Sequence, residues 1–200
     1  MHEKAIRSCV PIQNRAAGDK ASDMEAHTRA CIIYILGSAC SHSGLHGWTD
    51  AHLHEFRIKS PKTGRKVNIG LPDEDFGRKV SPGWKKKIAD FFTPANPKAE
   101  YTYDFGDNWR HIISLEDILP RQKGVDYPMC VGGERACPPE DCGSSYGYKK
   151  FLDIVMDPGH EEHDSMLKWA GGEFHPEHFD CAEVIFDDPA ERLEKLYEDF

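Results

Sequence analysis

The sequence predicts an α+β fold in a single domain: a mostly antiparallel sheet packed by several short helices. Three observations carry this prediction. A central hairpin spans about residues 100–117, two alternating segments precede it at 52–58 and 65–69, and the helical stripes come after it. That order fits helices segregated to one side of an antiparallel sheet.

His52, His54, Phe56 and Ile58 alternate with Leu53, Glu55 and Arg57, the two-residue period of a strand with one buried face. Residues 61–64 form a turn, and 65–69 a partner strand. Ser81 and Pro82 predict the start of a short helix, Ser81 as cap and Pro82 at the first position, with Trp84, Ile88, Phe91 and Phe92 at helical spacing. In the hairpin, Tyr101, Tyr103 and Phe105 alternate with Thr102 and Asp104. Gly106, Asp107 and Asn108 make the turn, and Trp109, His111, Ile113 and Leu115 alternate back. Tyr148, Phe151, Leu152 and Val155 form an apolar stripe closed by Asp157 and Pro158. His163, Met166, Leu167 and Ala170 mark a second helix, ended by Gly171 and Gly172. A third opens with Asp188, Pro189 and Glu191 and carries Leu193, Leu196, Tyr197 and Phe200 on one face.

A chain of 200 residues with 39% hydrophobic and 30% charged side chains can build one core. The longest apolar run, 30–36, is too short to cross a bilayer, and the opening Met1-His2-Glu3 is unlike a signal peptide. With seven cysteines, an odd count, the expectation is reduced thiols in the cytoplasm and no membrane. The net charge of -9 is unevenly spread: residues 1–100 carry 16 basic against 11 acidic side chains, and residues 101–200 carry 9 against 23. Within 57–87 lie ten basic residues, including Lys85, Lys86 and Lys87. Such a segment either binds phosphate or pairs with the protein's own acidic half.

Two constellations bear on chemistry. Cys130, Cys137 and Cys142, followed by His160 in His160-Glu161-Glu162-His163, would satisfy a closed tetrahedral zinc site. The other reading is reduced thiols packed as small apolar groups. The histidines are the second constellation. His52, His54, His111 and His160, with Asp107 and Glu161, carry the ligand chemistry of a metal-dependent hydrolase. Taken singly, each is an ordinary sheet-edge histidine. Gly143-Ser144-Ser145-Tyr146-Gly147 matches the nucleophile-elbow pattern, but the Pro138-Pro139 stretch before it is no buried strand. No dinucleotide or phosphate-loop motif is present.

Five ordered motifs, at 47–56, 101–111, 130–143, 157–162 and 174–180, resemble the plasmid pRiA4b ORF-3-like family, whose members are also labelled as transposon passenger, resolvase-like proteins. The resemblance covers roughly 47–186 and implies an α+β domain in a mobile-element context, with no reaction attached. Recombinase activity is not carried over, because no nucleophile set among several arginines is present. Residues 1–46 depart from the family pattern, lacking its Trp-Arg-Arg-like element. They are expected to form a divergent segment, with 1–28 poorly ordered, ahead of a family domain over 47–200.

The leading functional expectation is a non-enzymatic binding module, touching nucleic acid through the basic 57–87 segment. Its groove would lie between the hairpin and the Cys/His loops and involve Asp104, Asp107, Trp109, His111, His52, His54 and Glu161. The alternative is a metal-dependent hydrolase. A third reading gives Asp104, Asp107 and His111 the plain task of fixing the hairpin turn.

Overall fold

The computed structural model describes residues 4–7, 28–31, 48–49, 51–72, 79–120, 123–125 and 129–186. Its centre is a five-stranded sheet in the order β5 (Ser81–Pro82), β4 (Lys66–Gly70), β3 (His54–Lys59), β6 (Lys98–Tyr103), β7 (Trp109–Ser114). All neighbours are antiparallel except the two-residue β4–β5 pair. Two short ladders join distant parts of the chain: β1 (Lys4–Arg7) pairs with β8 (Asp117–Pro120), and β2 (Thr28–Cys31) pairs with β9 (Met129–Gly133). Helices α1 (Ser144–Val155) and α2 (His163–Trp169) follow. The α+β expectation is met. The rest of the 1–46 segment and the predicted helix after Asp188 lie outside the described residues.

Strand register explains the core. Because side chains alternate across a strand, one sheet face collects three rows that run across β3, β6 and β7. The first row is His54, Tyr103 and Trp109; the second is Phe56, Tyr101 and His111, with Ile69 of β4 beside Phe56. The third is Ile58, Ala99 and Ile113, with Val67 beside Ile58. Tyr101, Ile113, Tyr103, Ile69 and His111 are the most deeply buried large side chains. Each apolar one contributes roughly 1.5–3 kcal/mol by leaving water. The rows are graded: aliphatic near the β3–β4 turn, aromatic with polar tips near the β6–β7 turn. Polar tips need partners when buried, and the loops that supply them converge at that end.

The segment after Ser81 is not the predicted helix. Ser81 and Pro82 pair with Ile69 and Gly70 as a strand, and the chain then forms two separate 3₁₀ turns, 83–85 and 88–90. Pro82 (ψ 123°), Lys86 (ψ 142°) and Lys87 (ψ 136°) are extended. The Ser-Pro signature is shared by helix starts and edge strands, and here sheet pairing takes it. Ile88 and Phe92 still reach the core, against Phe56, Ile58 and Ala99.

The two predicted helical stripes are present. Phe151, Leu152 and Val155 of α1 are buried against Met166, Leu167 and Ala170 and against Phe174. Phe151 holds the centre, edge-on to Phe174 at 4.9 Å and to Trp169 at 5.8 Å, geometries that aromatic quadrupoles favour. Tyr148 touches both this small core and the sheet core, so it couples the helices to the sheet.

Candidate functional site

At the aromatic end of the sheet, the 138–143 loop is fastened down by four hydrogen bonds. Trp48 lies flat on Tyr103, ring centroids 4.6 Å apart, and its Nε1–H donates to Pro138 O at 2.9 Å. Tyr103 donates its hydroxyl to Glu140 Oε1, and Thr49 N–H donates to Glu140 Oε2 at 3.0 Å. Gly143 N–H donates to Asp107 Oδ2 at 3.0 Å. Segments far apart in sequence thus meet at the sheet's polar-tipped row.

The carboxylates that this fastening gathers surround one imidazole. His52 Nε2 lies 2.9 Å from Asp141 Oδ1, 3.8 Å from Glu140 Oε1 and 4.0 Å from Asp104 Oδ2. Asp104 follows β6 in the left-handed region (φ 51°), which aspartate tolerates better than most residues. Its other oxygen accepts from Gly106 N–H at 2.8 Å. His52, Asp104 and Asp141 form the group of three metal-competent side chains found among the described residues, with ligand atoms within 4.8 Å of one another. Sequence reasoning misses Asp141 and Glu140. They sit in an irregular loop with no period to read, next to Cys142, whose spacing to the other cysteines is the more conspicuous pattern.

The structure brings together only part of the predicted set. His52 and Asp104 meet. His54, His111 and Trp109 are core residues on the buried sheet face: His54 and His111 flank the Tyr101 ring at 5.9 and 5.5 Å, and Trp109 lies 5.9 Å from Trp48. Asp107 serves the loop through Gly143. Glu161 and His160 stand on the turn between α1 and α2, where His160 Nδ1 accepts from Glu162 N–H at 3.1 Å. Replacing Asp107 by alanine is expected to cost about 1–2 kcal/mol in urea denaturation, with Asp107→Asn recovering most of it. No loss would show that water serves the Gly143 N–H equally well.

Cys130, Cys137 and Cys142 with His160 are not a metal-sized group among the described residues. All three thiols pack at the sheet core, Cys130 from β9 and the others from the loop. Burial pushes the Cys137 thiol well up, reinforced by neighbouring Cys142 and Glu140. Burial likewise pushes Cys142 up to about 12, helped by Asp107, Asp141 and Glu140 and opposed by a backbone hydrogen bond. In this arrangement Cys137 and Cys142 are protonated at neutral pH, as packed small apolar groups would be. The elbow-like Gly143–Gly147 stretch is preceded by irregular chain, not a strand, so no nucleophile elbow forms.

The opposite sheet face carries exposed cations. Arg57 and Lys59 of β3, Lys66 of β4, Lys98 of β6 and Arg110 of β7 all stand on it, exposed. Glu55 and Glu100 are its acidic members, and Glu100 pairs with Lys66 at 3.1 Å. The β3–β4 turn adds exposed Lys62 and Arg65. Lys85, Lys86 and Lys87 follow β5 at the sheet's edge, Lys85 and Lys87 exposed and Lys86 between them half-buried. An acidic protein therefore carries a basic sheet face.

No helix among the described residues is long and apolar enough to cross a membrane. The chain is 38% identical over 126 residues to "Uncharacterized protein y4hQ" of Sinorhizobium fredii strain NGR234, an alignment covering 62% of this chain and 61% of that protein. It superposes with a TM-score of 0.78 and 36% identity on a crystal structure from Methanosarcina mazei Go1, described as protein of unknown function MM3350. That match covers 93% of this chain and 100% of the other. The family model for plasmid pRiA4b ORF-3-like proteins matches residues 43–183, close to the span its five motifs mark out. The chain belongs to the plasmid pRiA4b ORF-3-like family.

Proposed function

We propose that this protein is a non-enzymatic binding module that holds a nucleic-acid backbone on the open face of its five-stranded sheet. The observation that carries the reading is the register of Arg57, Lys59, Lys66, Lys98 and Arg110 on one solvent-facing surface. An antiparallel sheet with one face on the core leaves its other face free for such use. Phosphate contacts from five cations give sequence-independent affinity, and the protein's net charge of -9 confines that affinity to the patch. Lys85, Lys86 and Lys87 extend the patch along the β5 edge. In the same reading, 47–200 is the family domain behind a divergent 1–46 segment, and the module works in the cytoplasm in a mobile-element setting.

Fluorescence anisotropy with labelled duplex and single-stranded oligonucleotides tests this. The triple variant Lys59→Glu, Lys62→Glu, Lys98→Glu is expected to weaken binding at least about tenfold. It should also flatten the salt dependence, by about 0.9 log units of slope for each phosphate that the variant leaves unneutralised. A second triple variant, reversing Lys85, Lys86 and Lys87, should show a smaller effect of the same kind. Absence of binding at about 50 mM salt, or an unchanged slope in both variants, would remove the nucleic-acid reading. Of the residues the hydrolase alternative calls on, His54 and His111 are core residues and Asp107 bonds Gly143 N–H, so among the described residues that set does not gather around one point.

A further inference from the structure

We propose that His52, Asp104 and Asp141 form a site for one divalent first-row cation such as Mn²⁺ or Zn²⁺. Three segments remote in sequence deliver the donors: the approach to β3, the end of β6 and the loop before α1. The two separations from the imidazole fit. Ligand bonds of about 2.0–2.2 Å put donors roughly 3–4.5 Å apart around a single ion, and His52 Nε2 lies 2.9 and 4.0 Å from the two aspartate oxygens.

A second observation separates this group from a chance acidic cluster. The His52 Nε2 atom is buried and makes no hydrogen bond among the described residues, although Asp141 Oδ1 is at hydrogen-bonding distance. Asp104, only 9% exposed, turns Oδ2 toward the same nitrogen. A ring nitrogen shielded from solvent and faced by carboxylate oxygens from two aspartates has the donor arrangement of a coordinated ion. Glu140 Oε1, 3.8 Å from the same nitrogen, adds further negative charge.

The donor set also indicates the ion. One imidazole with two carboxylates suits manganese, iron or zinc better than calcium or magnesium, which favour all-oxygen shells. Three protein ligands leave coordination positions for water or another molecule. Asp141 also lines a cleft of about 320 Å³ between α1 and α2, with Lys150, Phe151, Ile154, Met166 and Trp169, so a molecule held there lies beside one of the ion's ligands.

The test is titration of the full chain with Mn²⁺ alone, followed by electron paramagnetic resonance, with Zn²⁺ competition and native mass spectrometry for stoichiometry. The expected result is one ion per chain, displaced by Zn²⁺. Asp141→Asn and His52→Ala should each weaken binding at least about tenfold. Asp141 is exposed, so Asp141→Asn should melt at the wild-type temperature without metal, and it decides the matter if His52→Ala fails to fold. No uptake would overturn the proposal and leave His52 as an ion-pair partner of Asp141. Uptake that survives Asp141→Asn but is lost in Cys137→Ser would equally overturn it, placing the metal at the cysteine loop.

Discussion

Replacing Trp48 by alanine is expected to cost about 3–5 kcal/mol in urea denaturation, the range for deleting a buried tryptophan. Trp48 is 6% exposed, stacks on Tyr103 and contacts the rings of Trp109 and His111 at 5.9 and 5.8 Å. Its loss opens a cavity against three other rings, and the surroundings cannot collapse because Tyr103, Trp109 and His111 are fixed by β6 and β7. The Pro138 carbonyl also loses its donor. Total stabilities of small domains are about 5–15 kcal/mol, so this variant approaches the limit of folding. Trp48→Phe separates the two contributions: it keeps a stacked ring and loses the Nε1–H, and should cost about 1–3 kcal/mol. A loss under about 1 kcal/mol for Trp48→Ala would mean that the loop does not depend on the indole. Because that loop carries Glu140 and Asp141, the alanine variant should also lose Mn²⁺ binding if the proposed cation site is correct.

The same alternation that makes the hairpin legible also places its histidines. Tyr101, Tyr103 and Trp109 fall on the core face by period, and His111 and His54 share that face by the same count. They are buried for a packing reason, each against Tyr101. The stripes of α1 and α2 are readable because helical spacing reports which face meets the core. The 81–92 segment misleads because its apolar residues do reach the core, yet its backbone is fixed by pairing to β4, which no local pattern announces. The loop acids are invisible for a related reason. Glu140 gets its importance from Tyr103 and Thr49, partners 37 and 91 residues away, and Asp141 from the equally remote His52. Short spacing among the cysteines draws the eye to the same loop, but to thiols that pack at the sheet core rather than to the acids beside His52. The basic 57–87 segment is legible as charge, but only register shows that Lys98 and Arg110 join its members on one face.

Gly147 supplies the second large effect, and its sign distinguishes two arguments. It lies in the first turn of α1, where propensity favours alanine by about 1 kcal/mol. The structure predicts the reverse. A Cβ at this position would lie 1.9 Å from the Cys142 carbonyl oxygen and 2.9 Å from its carbon, and both are backbone atoms that cannot rotate away. Gly147 N–H meanwhile donates to Gly143 O at 2.8 Å, which holds the first turn against the loop. Alanine must therefore push the helix start from the loop, at about 1–3 kcal/mol or more. Gly143→Ala is the control. There the strain comes from a left-handed backbone, φ 84°, with the added Cβ an ordinary 3.6 Å from Gly147 Cα, so a loss of about 1–2 kcal/mol is expected. The displacement in Gly147→Ala acts on Cys142, the neighbour of Asp141, so Mn²⁺ affinity should fall with stability, whereas the basic sheet face on the far side of the core should bind oligonucleotide unchanged. Stabilisation by Gly147→Ala would show that the loop and α1 do not meet as closely as described, and the geometry that places Asp141 beside His52 would fall with it.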